Sequence, residues 1–553
     1  MDRYKLILIL IVVIGAILRL VALGDYNPGF FRDEAAIGYN AYSIWQTGKD
    51  EYGFFLPTVF RSFEVFFMPL YIYLLAPIVG IFGLTEFNVR VLSAISGILA
   101  IPAAFLITLQ IWKNQKPALL SAFLLTISPW HILYSRGTFE GNLGLTLFVY
   151  GFWALLRFLD KSSLKNLTIA VVLFILSMYS YQSERVVTPL LGLITFAFCY
   201  KTILSLKQKL IIPIILAILL MLPILSLSLQ PGSYHRAFGV SVFSRESSVP
   251  GWKETEPQGL IVNNYIFLRA RQITALYFSY YSPRNLFFEG DANLQRGAEN
   301  FSVFYALLFP ALIAGLIKIL KDKRTEVKLL IAWIIIAPIP AALTSDPFHT
   351  YRALLLFFPL IIVMAGGLTW LFEFLRFRVV VAAVILTLCL SLSQFLYSYF
   401  VITPAVRAVE WDYGYKEIFE YLNTQTDYDK IVIDDELTTP YIHYLFFNKT
   451  DPAVYHDEVA KLGPLNDYYY SKTDVIRPEN IGKFHFRKVD WPSERGDNKT
   501  IFVFPARRLF PSEFENDPKI KLLKEMYYPD KTVSFRILKI DKPLDSAGNP
   551  LSE

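Results

Sequence analysis

Apolar runs of about 18 or more residues recur along roughly three quarters of this chain, each long enough to cross about 30 Å of hydrocarbon. MDRYKLILILIVVIGAILRLVALG stands at the start, and the last run follows RFR at 376–378. Inside a membrane such a run satisfies its own backbone only as a helix. The fold class expected is therefore an all-α polytopic transmembrane bundle. Composition agrees: 54% of the 553 residues are hydrophobic and 16% aromatic, with a mean hydropathy of +0.41. That is too apolar for a soluble protein of this length. The net charge of +6 then belongs to basic membrane-flanking loops and implies no nucleic-acid partner. Cys199 and Cys389 both fall inside apolar runs, which argues against a disulfide framework or a thiolate metal site. The N-terminal segment has the greasy core of a signal peptide. Its length, and the charged motif directly after it, make it a retained first helix instead.

Loop charge sets an orientation. Arg3 and Lys5, KNQK at 113–116, RFLDKSSLK at 157–165, KTILSLKQK at 201–209, KILKDKRTEVK at 318–328 and RFR at 376–378 form one alternating set of basic linkers. The other set, SPWHILYSRGTFEGN, YSYQSER, the stretch 230–300 and TSDPFHTYR, is poor in Lys and rich in aromatics and single acids. The positive-inside rule makes the first set cytoplasmic and the second external. FFMPLYIYLLAPIVGIFG at 66–83 would invert every later linker if it spanned. It is therefore expected as a helix in the outer interface, interrupted by Pro69 and Pro77. About eleven spans result, with the N-terminus inside and the C-terminus outside, in a plasma-membrane protein.

From Pro404 onward the chain turns charged and Tyr-rich. YKEIFEYLNT reads as an amphipathic helix, and DKIVIDDE, KTIFVFP and VSFRILKI read as strands. The expected organisation is a membrane core over 1–403, with external loops at 25–87 and 230–300, and an extracytoplasmic α/β domain over 404–553. The latter carries no glycine-rich phosphate loop and no HExxH-type metal pattern.

Ionisable groups deep in a bilayer would mark a transport path, yet the spans are nearly free of them. Arg19 and Arg90 lie near span ends, where a long side chain can snorkel. The polar residues gather instead in four external linkers. The first, GFFRDEAAIGYN, holds Asp33 and Glu34; taken alone, Asp33 is a helix N-cap. That leaves unexplained the second acid, Arg32, and the nearby polar-aromatic knot TGKDEYG. The second linker holds Arg136 and Glu140, with Trp130 and Tyr134 readable as an interfacial aromatic belt. The third holds Glu184 and Arg185, readable as a local ion pair. The fourth holds His349 and Arg352, three residues apart and able to face one anion from a helical turn. Singly, each is an ordinary surface charge; their concentration on one face is harder to dismiss. Together they suit sugar transfer at a membrane surface. A carboxylate would deprotonate an acceptor hydroxyl attacking an anomeric carbon. Arg and His would neutralise the departing phosphate of a lipid-linked sugar.

At these residues the chain resembles the C-type glycosyltransferase superfamily, and more closely bacterial family 39, the protein O-mannosyltransferase and aminoarabinose transferase group. The stretches that carry the resemblance are FFRDEAAIGYNAYSIWQTGKDEYGFFLP, PLYIYLLAPIVGIFGLTEFNVR, SPWHILYSRGTFEGN, YFSYYSPRNLFFEGDANLQRG and TSDPFHTYRALLLFFPL, within roughly residues 1–400. The resemblance implies a polyprenyl-phosphate sugar donor, an inverting reaction, and a protein, lipid or glycan acceptor. It puts the general base on Asp33, with Glu34 beside it. Glu140 becomes the second acid, and Arg136, Arg185, His349 and Arg352 become ligands of the lipid phosphate. Asp291 and Arg296 would sit in a loop closing over the sugar. No cofactor is required; a divalent cation shared by Asp33, Glu34 and Glu140 is the one metal arrangement these acids suggest. Phe67 and Met68 stand where aminoarabinose transferases carry a lysine-proline pair that assists at the donor phosphate, which argues against lipid A as acceptor. Two other classes use the same lipid or surface: a flippase of lipid-linked sugars and a non-enzymatic envelope assembly subunit.

Overall fold

The computed structural model describes residues 3–25, 29–63, 65–228, 241–243, 265–375, 378–465, 477–491, 494, 500–517 and 519–540. Most of the expected external loop 230–300 ahead of residue 265 lies outside them. The chain divides into two compact units.

The first unit comprises residues 1–23, 68–71 and 90–399 and is helical. An α-helix occupies each apolar run between the linkers. These are α1 (Arg3–Leu20), α4 (Glu86–Trp112), α5 (Gln115–Ile127), α7 (Glu140–Lys161), α8 (Leu164–Met178), α9 (Glu184–Leu204), α10 (Ile211–Ser228), and the helices Phe309–Lys321, Thr325–Ile336, Leu354–Leu375 and Arg378–Tyr397. A short helix, α6 (Pro129–Ser135), follows α5 at a bend of 59°. Among the described residues seven helices are long and apolar enough to cross a membrane, or eight if α5 and α6 form one bent span. Loop charge had suggested about eleven. The difference lies in α1, which carries Arg3, Lys5 and Arg19, and in the short α8 and Phe309–Lys321. Helices α9 and α10 and Arg378–Tyr397 leave rows of large apolar side chains uncovered, among them Leu193, Phe196, Ile215, Leu222 and Leu386, as a lipid-facing helix does. Where helices touch, small residues set the spacing. A Cβ on Gly315 would collide with the Val363 carbonyl, and one on Gly367 with that of Ala311, so the helices Phe309–Lys321 and Leu354–Leu375 meet backbone to backbone.

Arg19 and Arg90 do not snorkel; both are fully buried. Arg19 donates to the carbonyls of Leu125 and Thr126 (3.3 Å each) and meets Nδ1 of His131 at 2.6 Å. These carbonyls lie at the end of α5, where no intrahelical donor remains for them. Arg90 donates to Leu23 O at 3.2 Å. Trp130 and Tyr134 are likewise buried rather than arrayed along an interface.

The second unit comprises residues 24–67, 72–89 and 400–553. Sequence reading had grouped the first of these segments with the membrane core; it packs instead with the C-terminal domain. Helix α2 (Arg32–Thr47) ends at Gly48, whose φ of 72° lets its N–H reach back to Ile44 O, the common left-handed stop. A hairpin of β1 (Phe60–Ser62) and β2 (Val65–Phe67) follows. Then comes α3 (Pro69–Phe82), which Pro69 starts rather than interrupts and which runs through Pro77. The C-terminal sheet holds β3 (Lys430–Ile433), β4 (Asn480–Ile481), β5 (Phe484–Phe486), β6 (Thr500–Pro505), β7 (Ile520–Tyr527) and β8 (Val533–Ile540), in the order β4-β5-β3-β6-β8-β7. Strand β3 runs parallel to β5 and β6, and the other pairs are antiparallel. One face buries Val432, Trp491, Phe502, Phe504 and Leu538. Near the other, Tyr444 of the helix Pro440–Phe447 packs on Phe484 at 4.6 Å. The strands expected from alternation are all present.

Candidate active site

The acid pair opens α2. Its preceding residue Phe31 is extended, at φ −67° and ψ 147°, so the first N–H groups of the helix lack backbone partners. Glu34 supplies one: its Oε2 accepts from Phe31 N at 3.3 Å, and the side chain is buried. Asp33 is half-buried one residue earlier, inside the helix rather than at its cap. Arg32 donates through Nε and Nη2 to the two oxygens of Asp412 at 2.9 Å each, and its backbone N–H reaches Oδ2 at 3.1 Å. Burial opposes the charge on Arg32, but Asp412 outweighs it and raises the guanidinium pKa. Phe30 packs on Phe446 and Phe447 at 4.5 and 5.7 Å, and Phe31 meets Trp411 edge-on at 6.3 Å. Thus the aromatic walls and the arginine of FFRDE are committed to residues 411–412 and 446–447.

The knot TGKDEYG builds a second buried centre in the same unit. Asp50 Oδ1 accepts from the N–H groups of Tyr52 and Phe54 (3.0 and 2.9 Å), closing the turn. Glu51 points inward and accepts from Asn40 Nδ2 (2.8 Å), Ser62 Oγ (2.9 Å) and Tyr441 OH (3.1 Å). Burial pushes its carboxyl up to about 8; Asp50 adds to the rise, while Ser62, Tyr441 and Asn40 pull against it.

In the first unit three helix starts converge. Glu140 begins α7, its Oε2 accepting from Met68 N at 3.1 Å and its carbonyl from Ser180 Oγ at 2.9 Å. Glu184 begins α9 and is buried, with Oε1 against Gly144 and Oε2 finding no hydrogen-bond partner among the described residues. Next to it, Arg185 donates through Nε to Met178 O at 3.1 Å. The turn Thr350–Ala353 joins them. Ser183 Oγ donates to Arg352 O at 3.1 Å, and Gly141 N donates to Tyr351 OH at 2.8 Å. Tyr351 in turn lies among Tyr134, Phe139 and Tyr181, at 4.7 to 5.4 Å. Nη1 of Arg352 is buried and without a hydrogen-bond partner among the described residues. A buried donor of that kind is rare unless something else completes it.

Three expected site residues have close neighbours of their own. Arg136 is fully buried and donates to the carbonyls of Leu18, Val21 and Ala22 (3.2, 2.9 and 3.2 Å), closing the end of α1. Asp291 is tied down by its neighbours. It pairs with Arg296 at 2.9 Å and accepts from Thr350 N and Oγ1 at 2.9 and 2.8 Å. Arg296 also holds Asp346 at 2.9 Å. The pair therefore anchors the turn that carries Arg352. His349 is buried beside Arg352 and Arg296, with Nε2 3.8 Å from Asp346 Oδ2; its pKa is driven far down by burial first and by both cations next, which disfavours the charged imidazole. Among the described residues no group of three or more His, Cys, Asp or Glu side chains is placed to hold a metal ion; Glu34 and Glu140 each turn an oxygen to a backbone N–H. Sequence reading missed Asp412 and His443 altogether; WDYG and YIHY carry no local pattern that separates them from ordinary domain residues.

Residues 68–227 match the family described as dolichyl-phosphate-mannose-protein mannosyltransferase. The fold is similar to that of ArnT from Cupriavidus metallidurans in the apo state, at TM-score 0.55 and 11% identity over 98% of this chain and 99% of that one. The same protein bound to undecaprenyl phosphate matches with the same figures. The oligosaccharyltransferase of Archaeoglobus fulgidus in the apo form is similar at TM-score 0.48 and 15% identity, over 90% of this chain and 66% of that one. No curated protein matches the sequence. The chain thus resembles that mannosyltransferase family over residues 68–227, and its fold is similar to that of ArnT.

Proposed function

We propose that this protein transfers a sugar from a polyprenyl-phosphate donor to an acceptor hydroxyl at the extracytoplasmic membrane face. Asp33 takes the hydroxyl proton as the acceptor oxygen attacks the anomeric carbon. The bond from that carbon to the phosphate oxygen breaks with inversion, and polyprenyl phosphate departs with the electron pair. Arg352, with Arg185, neutralises the phosphate by charge-assisted hydrogen bonds. The observation that carries the reading is the buried Nη1 of Arg352, without a hydrogen-bond partner among the described residues, on the turn that meets the α7 and α9 starts; such a donor suits an anion. A structure similar in fold that is bound to undecaprenyl phosphate supports the choice of anion.

The test is sugar transfer by purified protein in vesicles supplied with undecaprenyl-phosphate-linked sugars. Asp33→Asn should lower kcat by about 10²–10⁴, the usual contribution of a general base, while undecaprenyl phosphate still binds. Near-normal turnover by that variant would sink the assignment. Arg352→Ala should weaken binding of undecaprenyl phosphate by about tenfold or more, as loss of a charge-assisted contact does; unchanged affinity would remove it from the phosphate site.

A further inference from the structure

The C-terminal domain reaches the start of α2 at one charged contact and three aromatic ones. Asp412 stands in the left-handed region at φ 51°, just after the turn Ala408–Trp411. Its carboxylate accepts three hydrogen bonds from Arg32, two from the guanidinium and one from the backbone N–H. A Cβ on Gly29 would collide with the Trp411 carbonyl, so the two backbones are in contact there as well. His443, fully buried and stacked on Tyr415 at 4.5 Å and 10°, lies 3.6 Å from Asp412 Oδ2. Burial keeps this imidazole below its ordinary pKa, so Arg32 provides the counter-charge of Asp412.

We infer that Asp412 is a positioning residue: by clamping both ends of Arg32 it fixes the first turn of α2, and with it the direction of Asp33. This rests on the assignment of Asp33 as base. A bidentate arginine–carboxylate pair has a defined geometry that a single contact lacks. Because Arg32 precedes Asp33 directly, any rotation of that turn displaces the carboxylate, and misplacement by about 1 Å costs about a hundredfold in rate. The charged and titratable groups around the clamp are Arg32, Asp33, Glu34, Tyr415, His443 and Tyr528.

The test uses the full-length protein in vesicles and the variant Asp412→Asn, which keeps the side-chain shape and tolerates the left-handed backbone but loses the charge. Backbone amides of residues 31–36 should exchange with deuterium at least about tenfold faster, as expected when a local clamp opens, while exchange in α7 stays as it was. The kcat for transfer should fall by about tenfold or more with the KM for the undecaprenyl-phosphate-linked donor unchanged. The acid limb of kcat/KM should also move to lower pH by about half a unit to one unit, because the uncompensated Arg32 charge favours ionised Asp33. Asp412→Glu should recover part of the rate. Glu494→Gln, which breaks the Arg487–Glu494 pair elsewhere in the sheet domain, should change none of these. Unchanged exchange at 31–36, or a rate lost with no movement of the acid limb, would overturn the inference. Absence of transfer by the unmodified protein would instead overturn the reading of function, a result the exchange measurement tells apart.

Discussion

At the scale of single residues, adjacent acids are read differently by the chain. Asp33 and Glu34 look alike in the sequence, yet Glu34 reaches back to Phe31 N and so serves the helix. Asp50 and Glu51 repeat the division: the first closes a turn and the second is buried among Asn40, Ser62 and Tyr441. Both acid pairs were legible in the sequence; which member faces inward was not, because that depends on donors up to 390 residues away. Glu51 has a thermodynamic consequence. Its carboxyl is raised from 4.5 to about 8, so the folded state holds this proton more tightly than the unfolded chain does. Its contribution to stability is therefore complete below about 4.5 and is lost as pH rises through about 8. Glu51→Gln removes that titration. The apparent unfolding midpoint of the variant should vary less between pH 5 and pH 9 than that of the unmodified protein, and the variant should be the more stable at the alkaline end by on the order of a few kcal/mol. Thermal unfolding followed across pH measures this; parallel pH profiles for the two proteins would refute it.

At the scale of elements, the helices and strands follow from periodicity, but the fastening of α2 does not. Its apolar face packs where Gly38 leaves room for Phe446, and Tyr39 OH donates to Thr450 O at 3.1 Å. The bare requirement visible near its start is Gly29, whose missing side chain admits the Trp411 carbonyl. Gly29→Ala should therefore part the chain from residues 411–412 and destabilise the second unit by about 1–3 kcal/mol, the usual cost of overpacking a tight contact. Accelerated proteolysis within residues 29–63 would report it, and an unaltered digestion rate would mean that the two backbones can shift at no cost. Likewise, the turn Thr350–Ala353 owes its place to Asp291 and Arg296. The sequence marked those two as site residues, and the structure gives them the task of holding the turn that carries Arg352.

At the scale of the whole chain, composition changes near Pro404, and one compact unit takes up the chain at Phe400. What composition could not reveal is that residues 24–67 and 72–89 join the same unit. Local pattern records the environment of a segment, and a half-buried loop looks the same whichever surface covers it. The contacts that cover this one are spread along its length, and several are polar. They include Arg32 with Asp412, Lys416 with Glu86 at 2.8 Å, Tyr441 with Glu51, and His456 Nε2 with Asp50 O at 2.7 Å. Removing residues 404–553 would strip every one of these partners and leave Glu51 and the aromatic walls of FFRDE without cover, which a loop of this size cannot compensate. The truncated chain should insert into membranes through its helices yet be cleaved by added protease between residues 29 and 67, and it should transfer no sugar. Mass mapping of the fragments distinguishes the outcomes. A protease-resistant loop with retained transfer would show that the sheet domain is an appendage, whereas cleavage confined to 29–67 would make it a structural half of the catalytic unit.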